Sequence, residues 1–313
     1  MTATSAPAPE RLVPSPLAAL AAALEARGLY APVSFGPLSA PWRPLSALWG
    51  DDDADLTRLL RMQGAYSPDL DAKGRSAYLA SAYAYALARP VAEGLVGFGL
   101  VPDIDPDRLG YRLEPYVTHY LDREIALERV HLRFGSESFA TDDPAGRGHP
   151  HARTLADRAA LIGEARAGLE RHMAPLVARL NALSRLPVAA MWRLIADGTA
   201  YAFLEAGRHA GCEDRAIDDA LALLKHPGSP LANKELRFVE IALIDDAAAG
   251  AELIRKRFRA RGGCCRYYTV EGGALCPTCV LRKPRELHET LAKEMREELG
   301  EAGRSARALV MAG

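Results

Sequence analysis

Hydrophobic positions recur every three to four residues along most of the chain, the pattern of helices that bury one face. The first helix is predicted to begin after Ser15 as N-cap, with Pro16 at the first helical position and Gly28 as the stop. Residues 1–14 contain few large apolar side chains, and we expect a flexible arm there. Further helices are predicted after the acidic run 51–53 and over about 75–88, 153–184, 188–206 and 214–224.

One segment follows a different period. Over 125–139, the apolar residues Val130, Leu132 and Phe134 alternate with polar ones, as in a half-buried strand. We therefore expect a small antiparallel sheet in this region. The next segment, 141–153, is polar and rich in Gly and Pro, and we interpret it as a loop that separates two halves of the chain.

The C-terminal third is predicted to add more helix. The segments 235–244 and 249–259 lead toward a group of cysteines, and we expect the second to be a helix with an arginine-rich end. The segment 284–299 has the pattern of an amphipathic helix of mixed charge. The predicted fold class is mainly α (α+β): a helical body with a small antiparallel sheet and a C-terminal segment that carries four cysteines.

Composition narrows the functional classes. Of 313 residues, 49% are hydrophobic and 25% charged, close to the averages of globular proteins, which excludes a wholly disordered or fibrous chain. Lys and Arg number 39 against 40 Asp and Glu, a formal net charge of -1. Because no overall positive field would attract nucleic acid, we expect no nucleic-acid partner.

The chain also lacks the marks of a membrane or secreted protein. Its most apolar long stretch, 80–101, is interrupted by Arg89, Pro90 and Glu93, whereas a spanning helix needs about 20 largely uncharged residues. The N-terminal apolar run, 17–24, has neither the basic start nor the cleavage site of a signal peptide. We expect no transmembrane segment and a cytoplasmic location. Peripheral attachment to the inner face of the membrane is compatible with this location.

Four of the five cysteines, Cys264, Cys265, Cys276 and Cys279, fall within one short segment, and Cys212 stands alone. Without a secretory signal, this clustering indicates a metal site rather than disulfides. Four thiolates complete the ligand set of a [2Fe-2S] cluster, with two sulfurs on each iron, or the tetrahedral shell of one zinc ion.

The spacing favours the cluster. Structural zinc sites separate their paired ligands by two or more residues, because adjacent side chains such as those of Cys264 and Cys265 diverge and do not easily bend onto one ion. A binuclear cluster is wider and offers two irons, so adjacent thiolates both find a metal. A zinc ion that staples the C-terminus stays the alternative.

The same segment carries a specific resemblance. Two adjacent cysteines, ten residues and Cys276-Pro277-Thr278-Cys279, with alternating arginines before them, resemble the closing motif of the siderophore-iron reductases of the FhuF family. A weaker likeness extends upstream in the same order along the chain. The matching features are Arg257, Arg259, Arg261, Tyr267, Tyr268, the Gly272-Gly273 turn, the strand-like 130–134, the long helix after His151, Met191-Trp192 and Ser229-Pro230-Leu231.

The resemblance implies a ferric-siderophore reductase. Its four cysteines would hold a [2Fe-2S] cluster that passes one electron to siderophore-bound Fe(III) and so releases Fe(II) in the cytosol. No catalytic residue beyond the cluster is implied, and a hydroxamate siderophore is the expected substrate. Two other functions stay open: a non-enzymatic siderophore-binding or scaffold protein with a structural zinc or cluster, and a ferredoxin-like electron carrier.

Several residues near the cysteines are candidates for substrate contact: Arg257, Arg259, Arg261, Tyr267 and Trp192. Guanidinium groups here would also offset the negative charge of a thiolate-bound cluster. Neither G-x-G-x-x-G nor a P-loop is present, so the chain has no fingerprint for a nicotinamide, a flavin or ATP. We therefore expect a partner that donates single electrons, such as a ferredoxin or a flavoprotein.

These expectations divide the chain into five regions. They are the flexible arm (1–14), an N-terminal helical region with the small sheet (15–148), a helical siderophore-binding region (149–250), a [2Fe-2S] cluster-binding segment (251–284) and a C-terminal helical extension (285–313).

Overall fold

The computed structural model describes residues 15–27, 32–50, 52–65, 67–120, 123–245, 250–300 and 306–311. The predicted arm over 1–14, the predicted helix stop Gly28 and the first residue of the acidic run, Asp51, lie outside the described residues. Within the described ranges the chain forms the α-helices α1 (Pro16–Ala26), α2 (Ala54–Gln63), α3 (Ala72–Phe98), α4 (Arg158–Ser184), α5 (Val188–Ala210), α6 (Glu213–Leu224) and α7 (Pro284–Leu299).

The strands are short apart from two pairs. They are β1 (Val33–Phe35), β2 (Arg43–Pro44), β3 (Leu100–Pro102), β4 (Leu109–Tyr120), β5 (Arg123–Phe134), β6 (Phe139–Thr141), β7 (Ala152–Thr154), β8 (Arg237–Asp245), β9 (Ala251–Ala260) and β10 (Arg307–Met311). The predicted mainly α (α+β) fold is confirmed. None of the described helices is long and apolar enough to span a bilayer.

Helices α3 and α5 form the centre of the main core. Both are buried along most of their length, since small residues let them approach closely. At Gly198 of α5, an added Cβ would lie 3.1 Å from the backbone nitrogen of Tyr85 and 3.2 Å from the carbonyl oxygen of Ser81, both on α3. The glycine therefore fixes the depth at which the two helices pack, and this contact lies beside the functional site described below.

Two sheets flank the helical core. In the first, of order β1-β5-β4-β2, strands β4 and β5 pair antiparallel from Leu109 opposite Phe134 to Tyr120 opposite Arg123. Leu132 and Phe134 are buried against the core, which confirms the predicted antiparallel pairing and its buried face. The second sheet, β3-β6-β7, packs with α1 around Leu20. Ser15 is the N-cap residue of α1 as predicted, although its side chain makes no capping hydrogen bond.

The third sheet corrects the sequence analysis. The segments 235–244 and 249–259 do not add helices in their described residues, because strands β8 and β9 cover most of them and pair antiparallel, with β10 on the other edge of β8. Residue 249 lies outside the described residues. Helix α7 occupies the predicted 284–299 and packs on this sheet through Leu287, Leu291 and Met295. Within the predicted helical extension 285–313, the described residues after α7 form strand β10.

Strand β9 presents its two sets of side chains to different elements. Lys256 pairs with Glu298 of α7, whereas Arg257 pairs with Asp214 of α6. Arg259, two residues further on, donates a hydrogen bond of 3.0 Å to the carbonyl oxygen of Asp197 in α5. The arginines at alternate positions of β9 thus face the helical body, and the strand leads directly into the cysteine segment.

Candidate metal centre and adjoining pocket

The four cysteines lie in a loop segment between β9 and α7. The two halves of this segment are joined by a backbone hydrogen bond of 3.0 Å from Arg261 to the carbonyl oxygen of Thr278. A turn closed by the amide of Cys279 on the carbonyl of Cys276, at 3.0 Å, shapes the second half. Both cysteine pairs are therefore brought to one place although ten residues separate them in sequence.

The first half of the segment is anchored on helix α5 by Asp197, whose side chain is completely buried. Its two carboxylate oxygens accept the backbone N–H groups of Gly262 at 2.7 Å and Gly263 at 3.0 Å. Arg261 completes the cluster of contacts, with its Nε 3.3 Å from Oδ2 of the same carboxylate. A buried carboxylate with this many donors is well compensated, so it can hold the turn in a fixed position.

The two glycines before the cysteines are required by space. A Cβ on Gly263 would lie 2.9 Å from the backbone nitrogen of Leu194, and one on Gly262 would meet the side chain of Asn233 and, at 2.9 Å, the backbone nitrogen of Leu236. Neither backbone can move without displacing a buried element. Because only glycine fits, the chain approaches α5 closely enough for the Asp197 hydrogen bonds to form.

Other contacts hold the remaining parts of the segment. Arg282 donates to the carbonyl oxygens of Cys276 at 3.0 Å and Leu275 at 2.8 Å. Arg266 pairs with Asp71 at 2.9 Å, so the loop after the first cysteines is tied to the residues that precede α3. The segment is thus fixed from three sides before any metal is considered.

The thiols interact with one another. A hydrogen bond from Cys276 lowers the pKa of Cys265, and the Arg261 charge lowers it further; the same hydrogen bond raises the pKa of Cys276. Burial raises the pKa of Cys264, whose sulfur accepts an N–H from Arg266 at 3.4 Å. Cys279 is buried, and the other three are half-buried and free of disulfides. Within the described ranges, no three Cys, His, Asp or Glu side chains converge on a single ion position.

The donor set fits a [2Fe-2S] cluster. Four sulfurs from two pairs match the two ligands that each iron needs. Cationic groups are in place as well, since the buried Nε of Arg259 and Nη2 of Arg261 have no hydrogen-bond partner among the residues that the structure describes. Unpartnered guanidinium N–H groups beside thiolates are the donors that a negatively charged group would use.

An open pocket of about 510 Å³ adjoins the cysteines. Cys265 and Cys276 reach its wall, together with Arg259 and Arg261. A larger cavity, of about 580 Å³, lies elsewhere, beside β3, β6 and α4. Its charged groups are already paired among themselves, as in the contacts of Arg153 and Arg171 with Glu164. The pocket beside the cysteines is therefore the better candidate for the functional site.

Four tyrosines make this pocket aromatic: Tyr78 and Tyr85 from α3, Tyr201 from α5 and Tyr267 from the cysteine segment. The rings of Tyr85 and Tyr201 lie 5.5 Å apart. Both hydroxyl groups interact with Glu205, which lies one helical turn beyond Tyr201. Burial is the main cause that raises the pKa of Tyr85 and of Tyr201, so both phenols stay protonated at neutral pH.

Residues 261–281 match the family model described as FhuF 2Fe-2S C-terminal domain. The cysteine segment is similar to that domain. The predicted [2Fe-2S] cofactor is confirmed by this match, which is confined to the cysteine segment and supports an FhuF-type iron–sulfur protein at that level. No curated protein matches the chain.

The structure separates the predicted substrate-contact residues into two groups. Arg259, Arg261 and Tyr267 line the pocket beside the FhuF-like segment. Arg257 lies apart from that lining and is paired with Glu240 and Asp214. Trp192 is 7% exposed and packs in the main core, and it does not line the pocket either.

The sequence analysis did not identify the residues that α3 and α5 contribute. A signal was present on α5, where Asp197, Tyr201 and Glu205 follow at intervals of four and so share one helix face. A carboxylate within the apolar run 194–204 is a second signal, because an unpaired buried charge is costly and such residues have a partner. Read together, they indicate a polar site on an otherwise buried helix.

Proposed function

We propose that this protein is a ferric-siderophore reductase, with Cys264, Cys265, Cys276 and Cys279 as the ligands of its [2Fe-2S] cluster. The observation that carries the proposal is the position of Cys265 and Cys276 in the wall of an open, arginine-bearing pocket. A purely structural metal site has no need of such an opening. When bound, a [2Fe-2S] cluster accepts and releases single electrons.

The chemistry of the substrate supports this assignment. Hydroxamate and related oxygen donors are hard ligands that bind Fe(III) far more strongly than Fe(II), so a chelate loosens its iron after one-electron reduction. For a one-electron couple, about 59 mV corresponds to a tenfold change in the equilibrium constant. A ferric chelate is therefore a poor acceptor unless the ferrous product is removed, and a ligand or acceptor for Fe(II) belongs to the reaction.

The chain's own residues hold the cysteines in position, place positive charge beside the thiolates and cover one side of a bound chelate. Asp197 and the glycine pair hold the first two cysteines against α5, and Arg282 holds the second two. Arg259 and Arg261 place positive charge beside the thiolates, which favours their ionised form. The tyrosine rings supply an apolar wall that removes water from one side of a bound chelate.

The electron source is a separate protein in this proposal. The chain has no nucleotide-binding fingerprint, and a ferredoxin or a flavoprotein is the class of partner that delivers electrons one at a time. The cytoplasm is the proposed compartment, since free thiols persist there and the iron is delivered there.

The test uses the complete protein, prepared without air and reduced with dithionite. After excess reductant is removed, addition of a ferric siderophore is expected to yield Fe(II), measured with a colorimetric ferrous trap. Cys276→Ser abolishes the yield, whereas Cys212→Ser retains it, because Cys212 lies at the start of α6 and its sulfur contacts Arg215 at 3.3 Å.

Other outcomes reject the proposal. A colourless protein that holds one zinc ion and no inorganic sulfide would reject the cluster. An intact cluster that is not reoxidised by any ferric siderophore would indicate a binding or scaffold protein. Reoxidation without captured Fe(II) would indicate an electron carrier.

A further inference from the structure

Arg259 is a charge without a carboxylate partner. Its Nη1 donates to the backbone carbonyl oxygen of Asp197 at 3.0 Å, and its buried Nε has no hydrogen-bond partner in the described part of the chain. By contrast, Arg261 is paired with the Asp197 carboxylate, and Arg257 with Glu240 and Asp214. Within the described part of the chain, Arg259 alone among these three arginines forms no ion pair. Because Arg259 also lines the open pocket, its charge is available there to an anionic group from outside the protein.

The orientation of Arg259 is fixed by aromatic rings. Its Cζ lies over the ring of Tyr201 at 5.4 Å from the ring centre, and Tyr201 in turn lies beside Tyr85. Arg89 lies over Tyr85 at 5.8 Å, so the two neighbouring rings lie between two guanidinium groups. Such cation–π contacts hold a guanidinium group in place without neutralising its charge.

Apart from the thiolates of Cys265 and Cys276, the described residues of the pocket wall carry no negative charge. Among the described residues that line it, none is Asp or Glu, while Arg259 and Arg261 both are present. Glu205 is engaged by the hydroxyl groups of Tyr85 and Tyr201. Both arginines lie near the thiols, but Arg261 is also ion-paired with Asp197, whereas Arg259 forms no ion pair among the described residues.

On these grounds, and resting on the proposed function, we infer that the pocket selects anionic ferric chelates that carry a carboxylate free of the metal, and that Arg259 binds this carboxylate. A guanidinium group presents two parallel N–H donors that match the two oxygens of a carboxylate. The tyrosine rings would pack against the apolar arms of the chelate. A dihydroxamate chelate built on citrate and lysine has this chemistry, because its two hydroxamates and the citrate α-hydroxycarboxylate surround Fe(III) while the lysine α-carboxylates stay free. Neutral tris-hydroxamate chelates give Arg259 no charged group to bind.

The experiment measures binding apart from electron transfer by replacing Fe(III) with redox-inert Ga(III). Calorimetric titration of the complete, cluster-loaded protein compares the Ga(III) complex of the citrate–lysine dihydroxamate, which has free α-carboxylates, with that of a neutral tris-hydroxamate. We expect the anionic complex to bind at least tenfold more tightly. Equal affinity of the unaltered protein for the two complexes would overturn the inference, whatever any variant does.

Variants then assign the preference to one residue. Arg259→Gln is expected to remove most of the tenfold preference while it changes affinity for the neutral complex less than twofold, and Arg259→Lys to restore part of it. Arg285→Gln is the matched control, since Arg285 is 91% exposed and pairs only with Glu289 among the described residues. An equal loss for both complexes in Arg259→Gln would contradict a carboxylate contact. The visible spectrum of each variant verifies that the cluster is intact.

The two proposals fail in different ways. A Ga(III) preference that depends on Arg259, with no Fe(II) captured from any chelate, would reject reductase activity and support the pocket assignment. Capture of Fe(II) at equal rates from anionic and neutral ferric chelates, with no effect of Arg259→Gln, would support reductase activity and overturn the pocket assignment.

Discussion

Asp197 and Arg261 form an ion pair at the base of the cysteine segment, with Arg261 Nε 3.3 Å from Asp197 Oδ2. The Asp197 side chain is completely buried and that of Arg261 is 13% exposed. Since the same carboxylate accepts two backbone N–H groups from the glycine pair, it links helix α5 to the residues directly before Cys264. The stability of the helical body and the geometry of the metal site therefore depend on one side chain.

Asp197→Asn tests this link. The amide accepts one backbone N–H group in place of two and leaves the Arg261 charge buried and unpaired, so we expect the free energy of unfolding to fall by about 3 kcal/mol. Sulfide bound per chain is expected to fall with it. Asp214→Asn is the control, because Asp214 is 85% exposed and its pair with Arg257 contributes less than about 1 kcal/mol. Unchanged urea unfolding and sulfide content in Asp197→Asn would contradict the anchoring role.

Two glycine substitutions should act in opposite directions. Gly263→Ala places a Cβ 2.9 Å from the backbone of Leu194, so we expect a loss of about 1–3 kcal/mol and of the visible cluster spectrum. Gly163→Ala, within helix α4, meets no atom within 4 Å and is expected to stabilise the protein by about 0.5–1 kcal/mol. Thermal unfolding monitored by circular dichroism measures both. A Gly263→Ala protein with a normal spectrum would show that the close approach is dispensable.

The parts of the fold that local pattern determines could be predicted. Helix α7 has the predicted bounds, and α5 and α6 lie close to theirs, because their apolar spacing and ends are local features. Strand β9 was predicted as a helix although its arginines at 255, 257 and 259 follow a period of two. Only the tertiary structure shows that α6 contributes a partner for Arg257 and that α5 contributes one for Arg259.

The candidate site, like the fold, could be predicted only where a local sequence pattern determines it. The four cysteines lie in one short segment, and their spacing together with the family resemblance predicted the cofactor. The pocket depends on Tyr85 and Tyr201, which are 116 residues apart in sequence. They meet only through the packing of α3 on α5 at Gly198. No local pattern encodes that juxtaposition. Arg257 shows that a shared local pattern does not imply a shared site, because it belongs to the same alternating run as Arg259 but lies outside the pocket lining.

Arg257 and Arg259 should therefore differ when replaced. Arg257→Gln removes ion pairs with Glu240 and Asp214 at the partly exposed edge of the sheet, and we expect a loss of about 1 kcal/mol in the free energy of unfolding. Chelate affinity and captured Fe(II) are expected to stay at the level of the unaltered protein. A drop in chelate affinity comparable to that of Arg259→Gln would instead place Arg257 in the substrate site.

His172 provides a titratable group in the core that is remote from the cysteines. It is completely buried, with its Nε2 2.7 Å from the hydroxyl group of Tyr83 and its Nδ1 2.7 Å from the carbonyl oxygen of Ile104. A neutral ring satisfies both contacts, since Nδ1–H donates to the carbonyl and Nε2 accepts from the tyrosine. Burial lowers the pKa of His172 to about 4, from an ordinary value of 6.5.

This difference predicts how stability depends on pH. Between pH 6.5 and 4 the unfolded chain binds a proton at His172 that the folded chain excludes, so acidification through this window favours unfolding. The contribution of His172 is fully present above pH 6.5, and about 3 kcal/mol of it is lost by pH 4. Urea unfolding of His172→Gln should show a shallower pH dependence in this window than the unaltered protein, while His119→Gln, at a site 77% exposed, should match the unaltered protein. Parallel pH profiles for His172→Gln and the unaltered protein would contradict this prediction, because they would show that the pKa of His172 is the same in the folded and unfolded chains.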